Sequence, residues 1–216
     1  MVLRRFLPLF FCLLPAAPLC AGEAVKVLLL GDSLTEGHGV AEDATYAANM
    51  ERTLRAMGRT GIVLRNAGIG GSTSASGLPR LRWHLRERPP PSVLLLALGP
   101  NDGLRGLDPD RMKENLRSVI KLARRNRMKV LLAGMKIPPN YGKTYASRFE
   151  AVFRELAREE AVPLIPFLLA GVAADPALNL PDGIHPNERG YKIVAATVLR
   201  QLLPLLDGKE KKGHSR

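Results

Sequence analysis

An aspartate stands three residues before a histidine in Asp182-Gly183-Ile184-His185-Pro186-Asn187, and this is the pattern in the chain best suited to moving a proton. A turn punctuated by Gly and Pro lets the carboxylate fold back onto one ring nitrogen and leaves the other free. Of the other histidines, His214 lies in the final residues, His84 sits beside Trp83 in a helical stretch, and His38 is a weak candidate with Glu36 as its one nearby acid. Read as a metal site, Asp182 and His185 lack further ligands of suitable type.

A nucleophile for such a base is offered by Gly31-Asp32-Ser33-Leu34-Thr35-Glu36-Gly37, which follows an apolar run. A serine at a strand-to-helix turn presents both its hydroxyl and its backbone N–H. The same residues also serve as helix caps, and the stretch alone does not separate the two readings. Asn66-Ala67-Gly68-Ile69-Gly70-Gly71-Ser72-Thr73 is rich in glycines that point N–H groups at an anion. It lacks both the Gly-Lys-Ser/Thr ending of a P-loop and the Rossmann spacing, which argues against phosphate binding. In Gly99-Pro100-Asn101-Asp102 the asparagine amide can donate to a developing oxyanion, although Pro-Asn-Asp-Gly also suits a plain turn.

These blocks need elements to position them. Runs rich in Val, Ile and Leu at Val25–Leu30, Ile62–Leu64, Val93–Leu98, Val130–Ala133 and Pro163–Phe167 read as buried strands. Helical spacing is found over Ala44–Met57, Leu78–Arg88, Pro109–Arg127 and Tyr145–Glu160, and a last helix from Asn187 to Leu203 is predicted to stop at Pro204. Met112, Leu116, Val119, Ile120 and Ala123 form one core-facing stripe, leaving Arg111, Lys113, Arg117, Lys121, Arg124 and Arg125 to solvent. Strands alternating with helices predict an α/β fold, a three-layer α/β/α sandwich around a mostly parallel sheet of about five strands. Sites in such sheets lie beyond the carboxyl ends of the strands, where three of the four blocks fall.

At 216 residues, with 46% hydrophobic and 24% charged residues, the chain has the composition of one globular domain and not of a disordered segment. Residues 1–24 differ: a basic start at Arg4 and Arg5, an apolar run from Phe6 to Leu14 and small residues around Ala16–Gly22 read as an export signal. The run is too short for a membrane span of about 20 residues. Cys20-Ala21-Gly22 and Gly22-Glu23-Ala24 both offer a cleavage point. Cys12 and Cys20 both lie here, so residues 25–206, read as the folded domain, carry no disulfide or cysteine metal site. Residues 207–216 read as a basic, disordered tail. The net charge of +12 suits weak attraction to anionic membrane, and no nucleic-acid module accompanies it.

Taken together, the blocks resemble the GDSL (SGNH) hydrolase family, over about residues 24 to 205. Its four named residues fall on Ser33 in GDSLTEG, Gly71 in NAGIGGST, Asn101 in GPND and His185 in DGIHPN, with Asp182 as the acid. Asn101–Gly106 and Pro139–Gly142 are similar to loops of its bacterial thioesterase I, lysophospholipase L1 and arylesterase subgroup. One departure is Pro100, where the family more often has glycine; proline is expected to stiffen the loop after Asn101. The absence of Gly-x-Ser-x-Gly around Ser33 argues against the α/β-hydrolase fold proper.

The resemblance implies a flavodoxin-like sheet and a catalytic triad of Ser33, Asp182 and His185. It also implies an oxyanion hole made by the N–H groups of Ser33 and Gly71 and the amide of Asn101. Asp32 and Asp102 take positioning roles in this reading, and neither a metal nor an organic cofactor is implied. The expected substrates are small-molecule or lipid acyl esters and thioesters, with the acyl chain near Leu104, Leu107, Ile137, Pro138 and Tyr141. Deacetylation of carbohydrate or cell-wall polymer is the enzymatic alternative, and a non-catalytic lipid-binding relative the alternative from another class. A periplasmic monomer is expected.

Overall fold

The computed structural model describes residues 24–208. The export segment predicted over 1–24 and the tail predicted over 207–216 lie outside the described residues, save 24, 207 and 208. Five parallel strands form one sheet: β1 (Val25–Gly31), β2 (Ile62–Gly68), β3 (Val93–Ala97), β4 (Lys129–Ala133) and β5 (Leu164–Ile165), in the order β2-β1-β3-β4-β5. Seven α-helices connect and cover them: α1 (Ser33–Glu36), α2 (Tyr46–Ala56), α3 (Gly77–His84), α4 (Pro100–Leu104), α5 (Pro109–Arg125), α6 (Lys143–Glu159) and α7 (Glu188–Leu206). Helices α2 and α7 pack together, while α3, α5 and α6 pack in a second row. The result is the expected three-layer α/β/α sandwich.

The centre of the sheet is leucine. Leu29 of β1 pairs with Leu95 of β3, which pairs with Leu131 of β4, and all three are fully buried. Each such side chain contributes about 1.5–3 kcal/mol by leaving water. Because helices cover both faces, the central strands are apolar throughout rather than alternating. The predicted stripe on α5 is confirmed: Met112, Leu116, Val119, Ile120 and Ala123 are all buried.

Helix α3 ends at His84, short of the predicted Arg88, and three further boundaries that differ from the sequence reading have a local reason. Strand β2 continues past Leu64 to Gly68 although Arg65 and Asn66 are exposed, because it is an edge strand paired residue by residue with β1. Strand β5 keeps two residues of the predicted five, since Pro163 and Pro166 on either side have no N–H to give to a ladder. Helix α7 runs through Pro204 to Leu206. The carbonyl that Pro204 fails to bond belongs to Arg200, an exposed residue whose backbone water can reach, and the Lys129 ammonium donates to the Leu205 carbonyl at 2.7 Å.

This order places the site. Strand order reverses between β1 and β3, so the segments after them diverge and open a crevice at the carboxyl edge of the sheet. At that edge Gly31 pairs with both Gly68 and Ala97. A Cβ on Gly68 would stand 2.0 Å from the Glu36 nitrogen, so only glycine lets β2 approach α1 this closely.

Candidate active site

Ser33 is the first residue of α1, and Asp32 caps that helix: its Oδ1 accepts from the Leu34 N–H at 3.0 Å. The capping reading therefore holds for Asp32, leaving the neighbouring Ser33 hydroxyl free of that role. Leu34 and Thr35 are buried, and Thr35 Oγ1 accepts from the Tyr46 hydroxyl at 2.9 Å. These anchors leave Ser33 half-buried at the mouth of the crevice.

The histidine arrives on a loop closed by its own backbone. Asn179 and Pro186 form an antiparallel bridge, the Leu180 N–H donates to the His185 carbonyl at 2.7 Å, and Asn187 caps α7 through the Arg189 and Gly190 N–H groups. Inside this loop Asp182 Oδ1 accepts from the N–H groups of Ile184 (2.8 Å) and His185 (3.0 Å). Its Oδ2 lies 2.7 Å from His185 Nδ1, and His185 Nε2 lies 3.0 Å from Ser33 Oγ. Partial burial works to raise the Asp182 carboxyl, but the donors from His185 and Ile184 outweigh it and hold it at about 2. An ionised carboxylate only accepts, so Nδ1 of a neutral ring carries the proton and Nε2 is left as an acceptor for the Ser33 hydroxyl.

Facing the serine are the segments after β2 and β3. Gly71 adopts φ +71°, and the Arg105 guanidinium donates to its carbonyl at 2.9 Å. Among the described residues, neither the Ser33 nor the Gly71 N–H meets a protein acceptor. Asn101 follows Pro100 on the first turn of α4, where proline's missing N–H is not needed. The Asn101 amide donates to the Ser72 carbonyl at 3.1 Å and, at 3.4 Å, to Asp32 Oδ2. Next to it, the buried Asp102 accepts from the Ser74 N–H (2.7 Å) and hydroxyl (2.6 Å), binding the glycine-rich segment to α4. Asp32 is itself only 1% exposed. Burial pushes its carboxyl up to about 7, against the pull of the Leu34 N–H, its own N–H, the Arg80 guanidinium and the Asn101 amide.

An apolar cavity of ≈ 710 Å³ opens beside Ser33 and His185, within the range of small-molecule sites. Leu104, Ile137 and Pro138 line it as expected, but Leu107 and Tyr141 do not. Leu107 is an exposed residue whose carbonyl accepts from Tyr145, and the Tyr141 hydroxyl is turned to the Leu104 carbonyl at 2.9 Å, bracing the wall from behind. The sequence reading missed Met135, Phe167, Leu169 and Ile184, which complete the wall. Phe167 was assigned there to a strand, and none of the four has a local pattern that marks a pocket. His84 is structural as read: its Nδ1 lies 2.7 Å from Glu87, and Trp83 meets its ring edge-on. The His38 ring lies against that of His185, and its backbone N–H donates to the Ser33 carbonyl at 3.0 Å.

The model of the GDSL-like lipase/acylhydrolase family matches residues 29–193. Thioesterase 1/protease 1/lysophospholipase L1 of Escherichia coli (strain K12) is 36% identical over 206 residues, covering 95% of this chain and 96% of that protein. Among solved structures, the crystal structure of TesA superposes with a TM-score of 0.79 at 37% identity, covering 83% of this chain and 99% of that one. The psychrotrophic esterase EstA from Pseudoalteromonas sp., inhibited by monoethylphosphonate, gives 0.79 at 29% identity, covering 84% and 98%.

Proposed function

This chain belongs to the GDSL-like lipase/acylhydrolase family, and from that premise we propose that it hydrolyses carboxylic esters and thioesters through an acyl-enzyme on Ser33. The observation that carries this reading is the continuous contact from Ser33 Oγ to His185 Nε2 (3.0 Å) and from His185 Nδ1 to Asp182 (2.7 Å), beside an apolar cavity.

As Ser33 Oγ attacks the acyl carbonyl, His185 Nε2 takes its proton, and the ionised Asp182 stabilises the imidazolium. The carbonyl oxygen becomes an oxyanion facing the N–H groups of Ser33 and Gly71 and the amide of Asn101. The longer of the two Asn101 contacts, to Asp32, is the one an oxyanion displaces. His185 then protonates the leaving alcohol or thiol as the carbon–oxygen or carbon–sulfur bond breaks. Water, deprotonated by the same ring, attacks the acyl-enzyme and releases the acid and free Ser33.

The cavity wall is apolar, and the one ammonium on it, from Lys136, is half-exposed and pairs with Glu150 at 3.6 Å. This lining supports an acyl chain in the cavity and the leaving group toward solvent. The relatives named as thioesterase, lysophospholipase and esterase support broad use of acyl donors. In this reading the enzyme is an exported monomer, with export supported by residues 1–24. No described helix is long and apolar enough to cross a membrane. The excess of basic residues supports weak attraction to anionic lipid, which adding salt to a vesicle-binding assay should reverse.

Hydrolysis of p-nitrophenyl esters from short to long acyl chains, by the chain and by Ser33→Ala, tests the reading. Turnover peaking at medium or long chains and lost in the variant is the expected result. Activity confined to acetyl groups, or retained by Ser33→Ala, would overturn the assigned substrate or the assigned nucleophile.

A further inference from the structure

Read as a sequence, Asp182 and His185 have too few companions to hold a metal; the fold supplies one. His38 comes off the turn after α1 and sets its ring against that of His185, with centroids 4.5 Å apart and planes tilted by 44°. One ligand atom from each of His38, Asp182 and His185 lies within 4.8 Å of the other two. Among the described residues no other three such groups come this close.

The donor set selects the cation. Magnesium and calcium demand oxygen ligands, whereas two imidazoles and one carboxylate suit zinc and its neighbours in the transition series. A tetrahedral ion with bonds of about 2.0–2.1 Å holds its ligand atoms roughly 3.4 Å apart, so the widest separation in the cluster has to close by at most about 1.4 Å. Asp182 and His185 are held by their loop, and His38 is the member able to move. It is exposed, and its turn continues into Gly39 at φ +76°.

We infer that a zinc-class divalent cation binds His38, His185 and Asp182 and reversibly switches the hydrolase off. Both ring nitrogens of His185 are already committed, Nδ1 to Asp182 and Nε2 to Ser33. A cation at Nε2 takes the lone pair that receives the serine proton. A cation at Nδ1 displaces the proton there and draws the carboxylate to itself, so the ring is no longer oriented for the serine. Either mode stops proton transfer with no covalent change, and removing the cation restores it. The inhibitory half of this inference rests on the proposed function above; the binding half does not.

The test uses the full chain carrying Ser33→Ala, titrated with zinc ions against a chromogenic chelator, with cobalt(II) in parallel for the visible absorption of a tetrahedral nitrogen–oxygen site. One ion per chain is expected at the site, with binding weakened at least about tenfold when His38→Ala is added. In the serine-intact chain, zinc should abolish ester hydrolysis and a chelator restore it. There His38→Ala should raise the half-inhibitory concentration by a similar factor, each curve being scaled to its own metal-free rate. Equal zinc affinity with and without His38 would overturn the inference, and so would zinc held through His38 with hydrolysis unaffected. Zinc binding through His38 in a chain that hydrolyses no ester would support the cation site while overturning the hydrolase reading.

Discussion

In the proposed mechanism two carboxylates serve the same serine from opposite surroundings. Asp32, one residue before Ser33, is sealed in the corner between α1 and α4, near Arg80 of α3, and burial raises its carboxyl to about 7. Asp182 sits on an exposed loop where three hydrogen bonds hold it at about 2. The corner around Asp32 depends on the packing of the whole sheet, and its acid acts through the helix it caps and the amide it touches. The loop around Asp182 is local, closing through bonds among residues 179 to 187, and its charged acid would face an imidazolium in the proposed mechanism. Rigid support and charge stabilisation are thus divided between two regions that meet at Ser33.

Removing the meeting point should have the largest effect. Ser33→Ala is expected to lower kcat by roughly 10⁶ while the melting temperature, followed by circular dichroism, hardly moves. Asp182→Asn breaks the charged side alone: kcat should fall by about 10⁴, because an amide no longer enforces the Nδ1–H tautomer. Stability near neutral pH should fall modestly, because the bonds to the charged carboxylate are lost at a site that water screens. Loss of the fold in this variant would show that the loop is not the self-contained unit described. Asn101→Ala, on the corner side, should lower kcat by about 10²–10³ with KM little altered. A rise in KM alone would place Asn101 in ground-state binding and not at the oxyanion.

The smallest effect sharpens the contrast through pH. Between the ordinary carboxyl value of 3.8 and about 7, folded Asp32 holds a proton that the unfolded chain has released. Its contribution to stability is therefore fully present below about pH 4, declines as pH rises toward 7 and is level above that. Asp32→Asn should remove this decline, worth on the order of 3–4 kcal/mol, from urea unfolding curves taken between pH 4 and 7. Asp182 has the opposite sign: its contribution is present above about pH 4 and lost as pH falls through about 2. An unchanged pH slope in Asp32→Asn would mean that water reaches the Asp32 carboxyl.

Much of this architecture is readable in the chain. Leu28–Leu30 and Leu94–Leu96 identify themselves as doubly covered strands by lacking alternation, and the α5 stripe identifies its buried face by its spacing. The loop from Asp182 to His185 is legible because its bonds span at most a few residues. Strand β2 hides its length, since pairing with β1 extends it over Arg65 and Asn66, which carry no hydrophobic signal. The cavity wall hides as well. Leu107 and Phe167 are equally apolar in sequence, yet Phe167 faces the cavity and Leu107 is left to solvent.

By itself, then, the sequence determined the layered fold, the residue types of the candidate reacting groups and the turn that places an acid against its histidine. All of these follow from hydrophobic period and turn chemistry, which act over a few positions along the chain. Only the tertiary structure decided that His185 reaches Ser33 across 152 positions, that Asp32 is driven out of the ordinary carboxyl range, and that His38 lies against the His185 ring. Those outcomes depend on burial and on distances set by the whole sheet, which no short stretch of sequence specifies.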